Sequence, residues 1–239
     1  MSFNTVAKYK SWSWTRWSDW DRCPAFAKYK HIDKLPEPKS SAMLRGAAVA
    51  EAGEKFLKKE VAKLAPELKP VAKEFGRLRN IRGLIVESQW GFTAEWEPVG
   101  YYDWDKCKLR SKIDVGYIEN NVLEFTDNKT GKYNERDKDK YELQLDLYCA
   151  AGIAQYPTLK GVRPRLLYTD LGMQYPAQPV LVTAVQARRK QKEWNKRFAP
   201  MLAERRWAPR PGFYCQWCPF SKNFVDKVSG KKMPGPCKY

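Results

Sequence analysis

The sequence predicts an α/β fold, a central mixed β-sheet flanked by helices. Three observations predict it. Apolar and polar residues alternate in Lys112-Ile113-Asp114-Val115-Gly116-Tyr117-Ile118 and again in Val122-Leu123-Glu124-Phe125-Thr126, the period of half-buried strands. Segments of helical period lie before and after this block. The 239 residues suffice for one sizeable α/β core with a small appended lobe.

The elements follow in order. Ser13 to Lys30 reads as a helix, and Trp12, Trp14, Trp17 and Trp20 lie at spacings by which most of them face a core, with base stacking as the less favoured reading. Ser41 to Leu64 is a second helix with Ser40 or Ser41 as its cap, and Glu67 to Arg79 a third, bounded by Pro66 and Gly83. Leu84 to Thr93 alternates as a strand. A connection rich in Trp and Tyr leads to the two paired strands, joined by a turn at Glu119-Asn120-Asn121. Arg136 to Tyr156 carries Tyr141, Leu145, Tyr148 and Gly152 at helical spacing, so one face looks at the sheet and Gln144 shares it with Tyr148. Gly161 to Thr169 and Gln178 to Thr183 read as strands, and Ala184 to Arg205 as a long basic helix. The tail from Trp207 is rich in Pro, Gly and Cys.

The paired strands carry the chemistry. Their hairpin brings Asp114 and Asp127 to one end of the sheet, and two carboxylates near one point attract a hard divalent cation, Mg²⁺ or Mn²⁺. Such a cation lowers the pKa of water and neutralises phosphate charge. Lys129, two residues past Asp127, projects from the same strand face, where it can hold the attacking water or the charge that builds on phosphorus. Asn128 points the other way and offers the metal its backbone carbonyl. On residue types alone, a surface hairpin with scattered charges is an equal alternative.

A formal net charge of +17 favours a polyanionic partner, bound with a steep dependence on salt. Basic runs at Lys28 to Lys34, Lys55 to Lys63, Arg188 to Arg197 and Arg205-Arg206 are candidates for lining a channel. Each run alone reads better as a solvated helix face. No run of about 18 apolar residues occurs, so no membrane association is expected, and the polar, aromatic N-terminus has no secretory signal pattern. The expected setting is cytoplasmic, where thiolates serve metals or packing rather than disulfides.

A set of spaced motifs, in order, adds a family. Ser18-Asp19-Trp20-Asp21-Arg22-Cys23-Pro24, Leu44-Arg45-Gly46, Glu87-Ser88-Gln89-Trp90-Gly91-Phe92, the Asp114 strand, Asp127-Asn128-Lys129-Thr130-Gly131-Lys132 and Gln144-Leu145-Asp146-Leu147-Tyr148 span most of the chain. Together they resemble the RecB-like branch of the PD-(D/E)xK nucleases, in particular small phage exonucleases and the CRISPR-associated RecB-like nucleases. The resemblance implies a restriction-endonuclease-like core and metal-dependent DNA cleavage of exonuclease type, in recombination, repair or DNA degradation. It assigns Asp114, Asp127 and the Asn128 carbonyl to the metal, and Lys129 to water or the transition state. Gln144 and Tyr148 would meet the active-site loop or the DNA backbone; Glu87, a strand residue before Trp90, reads first as a structural acid and second as an acid that assists at the metal. A recombinase or annealing protein is a candidate partner, and a phage-encoded chain would act in the host cytoplasm.

One position departs from the family pattern. Where the family carries a metal-binding His after the Arg-Gly of its second helix, this chain has Ala50, and His31 is its sole histidine. The site then works with two carboxylates and a carbonyl, or binds metal weakly, or belongs to an inactivated variant, natural or engineered. A non-catalytic DNA-binding module that keeps the fold is the competing reading.

Cys23 near one end and Cys215, Cys218 and Cys237 near the other match the iron–sulfur pattern of related nucleases, although Cys218 and Cys237 stand farther apart than is usual there. Four thiolates suffice for a [4Fe–4S] cluster. Zinc and no metal at all remain open. The expected organisation is a single nuclease domain over 1–239 in which 1–40 and 207–239 form an iron–sulfur lobe. Cys149 is expected in the core and Cys107 in an exposed loop.

Overall fold

A computed structural model describes residues 9–226 and 229–239. The chain divides into two compact units, one from the described parts of Met1–Leu44 and Asn195–Tyr239, the other from Arg45–Trp194.

The Arg45–Trp194 unit holds the sheet. Among the described residues its strands are β1 (Ile85–Phe92), β2 (Pro98–Val99), β3 (Leu109–Glu119), β4 (Val122–Lys129), β5 (Gly161–Tyr168), β6 (Met173–Tyr175) and β7 (Val182–Thr183). They run in the order β2-β1-β3-β4-β5-β6, with β7 beside β5. β3 and β4 are antiparallel across a two-residue turn, in which Asn120 and Asn121 take φ of 51° and 64°. Asn tolerates that left-handed backbone, as a tight hairpin turn demands. β4 and β5 are parallel, so a crossover must join them, and α5 (Lys138–Gln155) supplies it. The sheet is mixed and flanked by helices, as the sequence predicts.

Each face has its own cover. α5 packs on Leu123 and Val162 at Gly152, where an added Cβ would lie 2.8 Å from Leu123 Cδ2. The absence of a side chain there is what lets helix and sheet approach. Val115, Tyr117 and Leu167 point the other way, into a core with Val49 and Phe56 of α3 (Ser41–Leu57) and Phe75 and Leu78 of α4 (Ala72–Arg79).

Several elements differ from expectation. The predicted helix over Ser13 to Lys30 is two helices, α1 (Trp14–Arg22) and α2 (Pro24–His31), because Cys23 is extended at φ −162° and ψ 112°. Pro24 disfavours helical backbone in the residue before it. α3 stops at Leu57 rather than Leu64, and Lys59 turns left-handed at φ 64°. Pro66–Val71 is a 3₁₀ turn ahead of α4, since Pro70 cannot donate an α-helical bond. The expected strand at Gln178 to Thr183 shrinks to β7, and β6 had no counterpart in the sequence reading. Cys107 is buried, its thiol donating to the Leu109 carbonyl at 3.2 Å, so the exposed-loop expectation fails. Cys149 is buried as expected. The last helix is α6 (Ala184–Ala203).

In the unit of the terminal segments, Trp12 and Trp17 are buried and meet the Phe198 ring, which accounts for two of the four N-terminal tryptophans as core. His31 ends α2 with Nε2 2.8 Å from Asp19 Oδ2. Among the described residues no helix is long and apolar enough to cross a membrane.

Candidate functional site

The β3–β4 ladder pairs Glu119 with Val122 through to Val115 with Thr126 and then opens. Asp114 and Asp127 are the next residues on the two strands. In place of a ladder bond, the Asp114 carboxylate accepts the backbone N–H of Asn128 at 2.8 Å. On the far side of β3, Val86 and Ser88 pair with Val115 and Ile113, while Glu87 between them is left-handed at φ 52°. The sheet is therefore interrupted on both sides of Asp114. A left-handed non-glycine residue inside a strand costs free energy and tends to mark functional sites.

Asp127 is buried at the centre of a network. Tyr148 donates to its Oδ1 at 3.2 Å, and Gln144 Nε2 reaches the same oxygen at 3.3 Å and the Tyr148 hydroxyl at 3.0 Å. Lys129 Nζ lies 2.6 Å from Asp127 Oδ2. That contact is an ion pair without hydrogen-bond alignment, and Oδ2 has no aligned donor. The spacing of Asp127 and Lys129 along one strand face produces it.

Charge follows this geometry. Burial first, and the Asp127 charge second, push the Asp114 carboxyl well above the usual carboxylate range, and the Asn128 N–H opposes them without prevailing. Burial works against the Lys129 ammonium, but Asp127 and then Asp114 outweigh it and raise its pKa. Burial, Asp127 and Asp114 raise Tyr148 far above its ordinary value, so its hydroxyl remains a donor.

A pocket of about 280 Å³ opens at this end of β4, and its lining includes Gly46, Val49, Ala50, Asn128, Lys129 and Thr169. The α3 residue at the position of the family's His therefore borders the site. A fork from Arg45 to Asp170, at 2.8 Å on each arm, and a 2.8 Å bond from the Gly131 N–H to Asp170 Oδ2 tie the start of α3 to the segment after Lys129. Asp170 was not anticipated; it lies just beyond β5, outside every motif. Glu87 pairs with Lys112 at 2.5 Å and adds to the charge that raises Asp114.

A sequence model of the PD-(D/E)XK nuclease superfamily matches residues 11–222. The chain belongs to this superfamily. Its members typically use Mg²⁺ or Mn²⁺. The nuclease is also similar to a solved structure, the crystal structure of SSO0001, at 15% identity over 90% of this chain and 86% of that one, with a TM-score of 0.39. No curated protein matches it.

The residues of this nuclease fit an oxygen-preferring cation. Asp127 Oδ2 is buried without an aligned donor, burial and then the charge of Asp127 raise the Asp114 carboxyl, a repulsion that a cation would relieve, and the donors are carboxylate and carbonyl oxygens. Among the described residues no three His, Cys, Asp or Glu side chains form a metal-holding group, and the set here has two carboxylates. The helix face that Gln144 and Tyr148 share looks at the sheet, as its spacing predicts. Both are buried against Asp127.

In the terminal unit, Cys23, Cys215, Cys218 and Cys237 line one pocket of about 210 Å³. Backbone N–H groups of Arg210 and Gly212 point at Cys23 Sγ and Cys215 Sγ, at 3.3 and 3.5 Å. Burial first raises the Cys218 thiol; the Phe220 backbone N–H opposes it, and the charges of Cys237, Cys23 and Cys215 add to the rise. The long spacing before Cys237 closes by backbone bonds: Cys237 N–H to Phe220 O and Lys222 N–H to Cys237 O, both 2.8 Å.

Proposed function

We propose that this chain is a divalent-metal-dependent deoxyribonuclease of the RecB-like branch, a phage-type exonuclease of recombination, repair or DNA degradation. The observation that carries the reading is the meeting of Asp114, Asp127 and Lys129 where the β3–β4 ladder opens. Asp114, Asp127 and the Asn128 carbonyl would hold Mg²⁺ or Mn²⁺. When bound, the cation supplies charge neutralisation at the phosphate and a lowered pKa for water. Lys129 orients the attacking water and offsets charge developing on phosphate oxygens. Tyr148 and Gln144 are positioning residues, since their donors fix the carboxylate of Asp127. The charge of +17 supplies the attraction to DNA.

The second reading, a DNA-binding module without hydrolysis, rests on the side chain of Ala50 at the rim of the pocket, which offers no ligand. Degradation of end-labelled linear DNA with Mg²⁺ or Mn²⁺ separates the two, using the natural chain, Ala50→His and Lys129→Ala. Cleavage that Lys129→Ala abolishes while DNA binding persists supports the nuclease. Cleavage by Ala50→His alone makes the natural chain a disabled nuclease. No cleavage by either gives the binding module the lead.

For the four thiols we propose a [4Fe–4S] cluster, with zinc as the alternative tetrahedral occupant; Cys23, Cys215, Cys218 and Cys237 border one pocket, and since they do not form a metal-holding group as they stand, uptake would draw them together. A recombinase or annealing partner belongs to the same proposal, and pull-down with and without DNA tests it.

A further inference from the structure

β3 starts beneath a turn that the cleavage reading leaves unused. Gly91 on β1 is what lets the chain close there, because a Cβ would lie 2.9 Å from Val99 O, Gly100 O and Tyr101 Cα. The turn is fixed from within. Asp103 Oδ1 accepts the N–H groups of Asp105 at 3.2 Å and Lys106 at 3.0 Å. Cys107 N–H bonds to Asp103 O, and Lys108 N–H to Phe92 O, both at 2.8 Å. On this fixed frame Tyr102 is 62% exposed and Trp104 57%.

Arg110 lies against the inner side of this group. Its guanidinium carbon is 3.8 Å from the Trp104 ring centroid and 5.2 Å from that of Tyr101. Arg110 is only 9% exposed, and its Nε and Nη2 are buried without a hydrogen-bond partner. Those two N–H groups share one edge of the guanidinium, the edge that grips phosphate with parallel bonds. Stacking on Trp104 satisfies the plane of the cation and leaves that edge unmet. Among the described residues no acid forms an ion pair with Arg110. Along β3 it precedes Asp114 by four residues, about 13 Å.

We propose that Tyr102, Trp104 and Arg110 form a subsite for single-stranded nucleic acid. Nucleobases stack on the exposed rings of Trp104 and Tyr102, and a backbone phosphate takes the Nε and Nη2 edge of Arg110. The edge is shielded, so stacking is the first contact and the phosphate follows as the strand seats against the turn. A duplex keeps its internal base faces against one another and offers the rings only the outer faces of its terminal pairs, so the subsite selects a single-stranded end or tail. The proposal rests on the reading of this chain as a nuclease.

The test is fluorescence anisotropy in EDTA, which prevents cleavage, with labelled oligothymidylate and a blunt duplex of equal length. Trp104→Ala should weaken oligothymidylate binding about tenfold, the loss of one stacked base, and leave duplex binding unchanged. Trp104→Phe should restore most of it, and Arg110→Lys, which keeps the charge without the fork, should weaken the single strand alone. Equal loss on both ligands, or no loss with Trp104→Ala, overturns the subsite. Because Trp104 is exposed, its variants keep the test intact if Arg110→Lys does not fold. A natural chain that binds neither ligand overturns the nuclease reading along with the subsite; one that binds both and ignores Trp104→Ala overturns the subsite alone.

Discussion

Tyr148 donates its hydroxyl to Asp127 Oδ1 at 3.2 Å from one turn along α5 past Gln144, which reaches the same oxygen. Both donors come from the crossover helix, so the position of a strand carboxylate depends on how that helix seats on the sheet. Tyr148→Phe keeps the ring against Phe125 and removes the hydroxyl. Partners that orient a metal-binding group typically contribute 10–100-fold to affinity or activity, so Mg²⁺ affinity by calorimetry should fall by roughly tenfold with little change in fold. Unchanged affinity would mean that Gln144 alone sets the carboxylate.

Lys129 is the counter-charge of two buried acids. Removing it leaves Asp127 and Asp114 facing one another with less compensation, and an unpaired buried charge is costly. Lys129→Ala without metal should lose about 1–3 kcal/mol at neutral pH, and millimolar Mg²⁺ should recover much of the loss. Denaturant titration with and without Mg²⁺ reads both effects. A variant as stable as the natural chain, and indifferent to Mg²⁺, would place the cation elsewhere.

The sheet and the acids were legible because they sit on the strongest patterns in the chain. Period-two alternation around Asp114 and the Asn-Asn turn locate the hairpin, and the Asp127-to-Lys129 spacing puts both side chains on one strand face. The left-handed backbone of Glu87 was not legible, since nothing in Glu87-Ser88-Gln89 marks a break in an alternating strand. Nor was the Arg45 fork to Asp170, whose partners are 125 residues apart. The contacts of Gln144 and Tyr148 were legible only in part. Helical spacing says that they share a face that looks at the sheet, but only the packing of α5 decides that Asp127 is what they meet. Cys107 shows the same limit, because charged neighbours suggested exposure while its thiol turned inward to a carbonyl.

Glu74 gives the Arg45–Trp194 unit an acid-sensitive joint. Burial opposes its charge, but bonds to Arg77 and Arg165 outweigh burial and hold its carboxyl at about 2, against an ordinary 4.5. A depressed folded-state pKa contributes stability that is complete above pH 4.5 and lost as pH falls toward 2. With allowance for its partial exposure, the contribution is about 1–2 kcal/mol. Unfolding free energy followed from pH 6 to about 2 should decline more steeply for the natural chain than for Glu74→Gln. Parallel curves would show that the pair with Arg165 adds nothing beyond solvation.

The four thiols make the last prediction the simplest to read. Cys23 and Cys215 already receive backbone N–H bonds, and such bonds tune sulfurs that ligate iron. Anaerobic reconstitution with iron and sulfide should give a brown protein with four irons per chain, as expected of a [4Fe–4S] cluster. Cys218→Ser and Cys237→Ser should each lose the colour. Because Cys237 is held to the Phe220–Lys222 segment just after Cys218 by two backbone bonds, Cys237→Ser should keep that segment folded, with unchanged backbone amide protection, even when the cluster is gone. A colourless protein with stoichiometric zinc would replace iron by zinc at the same thiols. A protein that takes up neither metal would leave the four cysteines as packing residues.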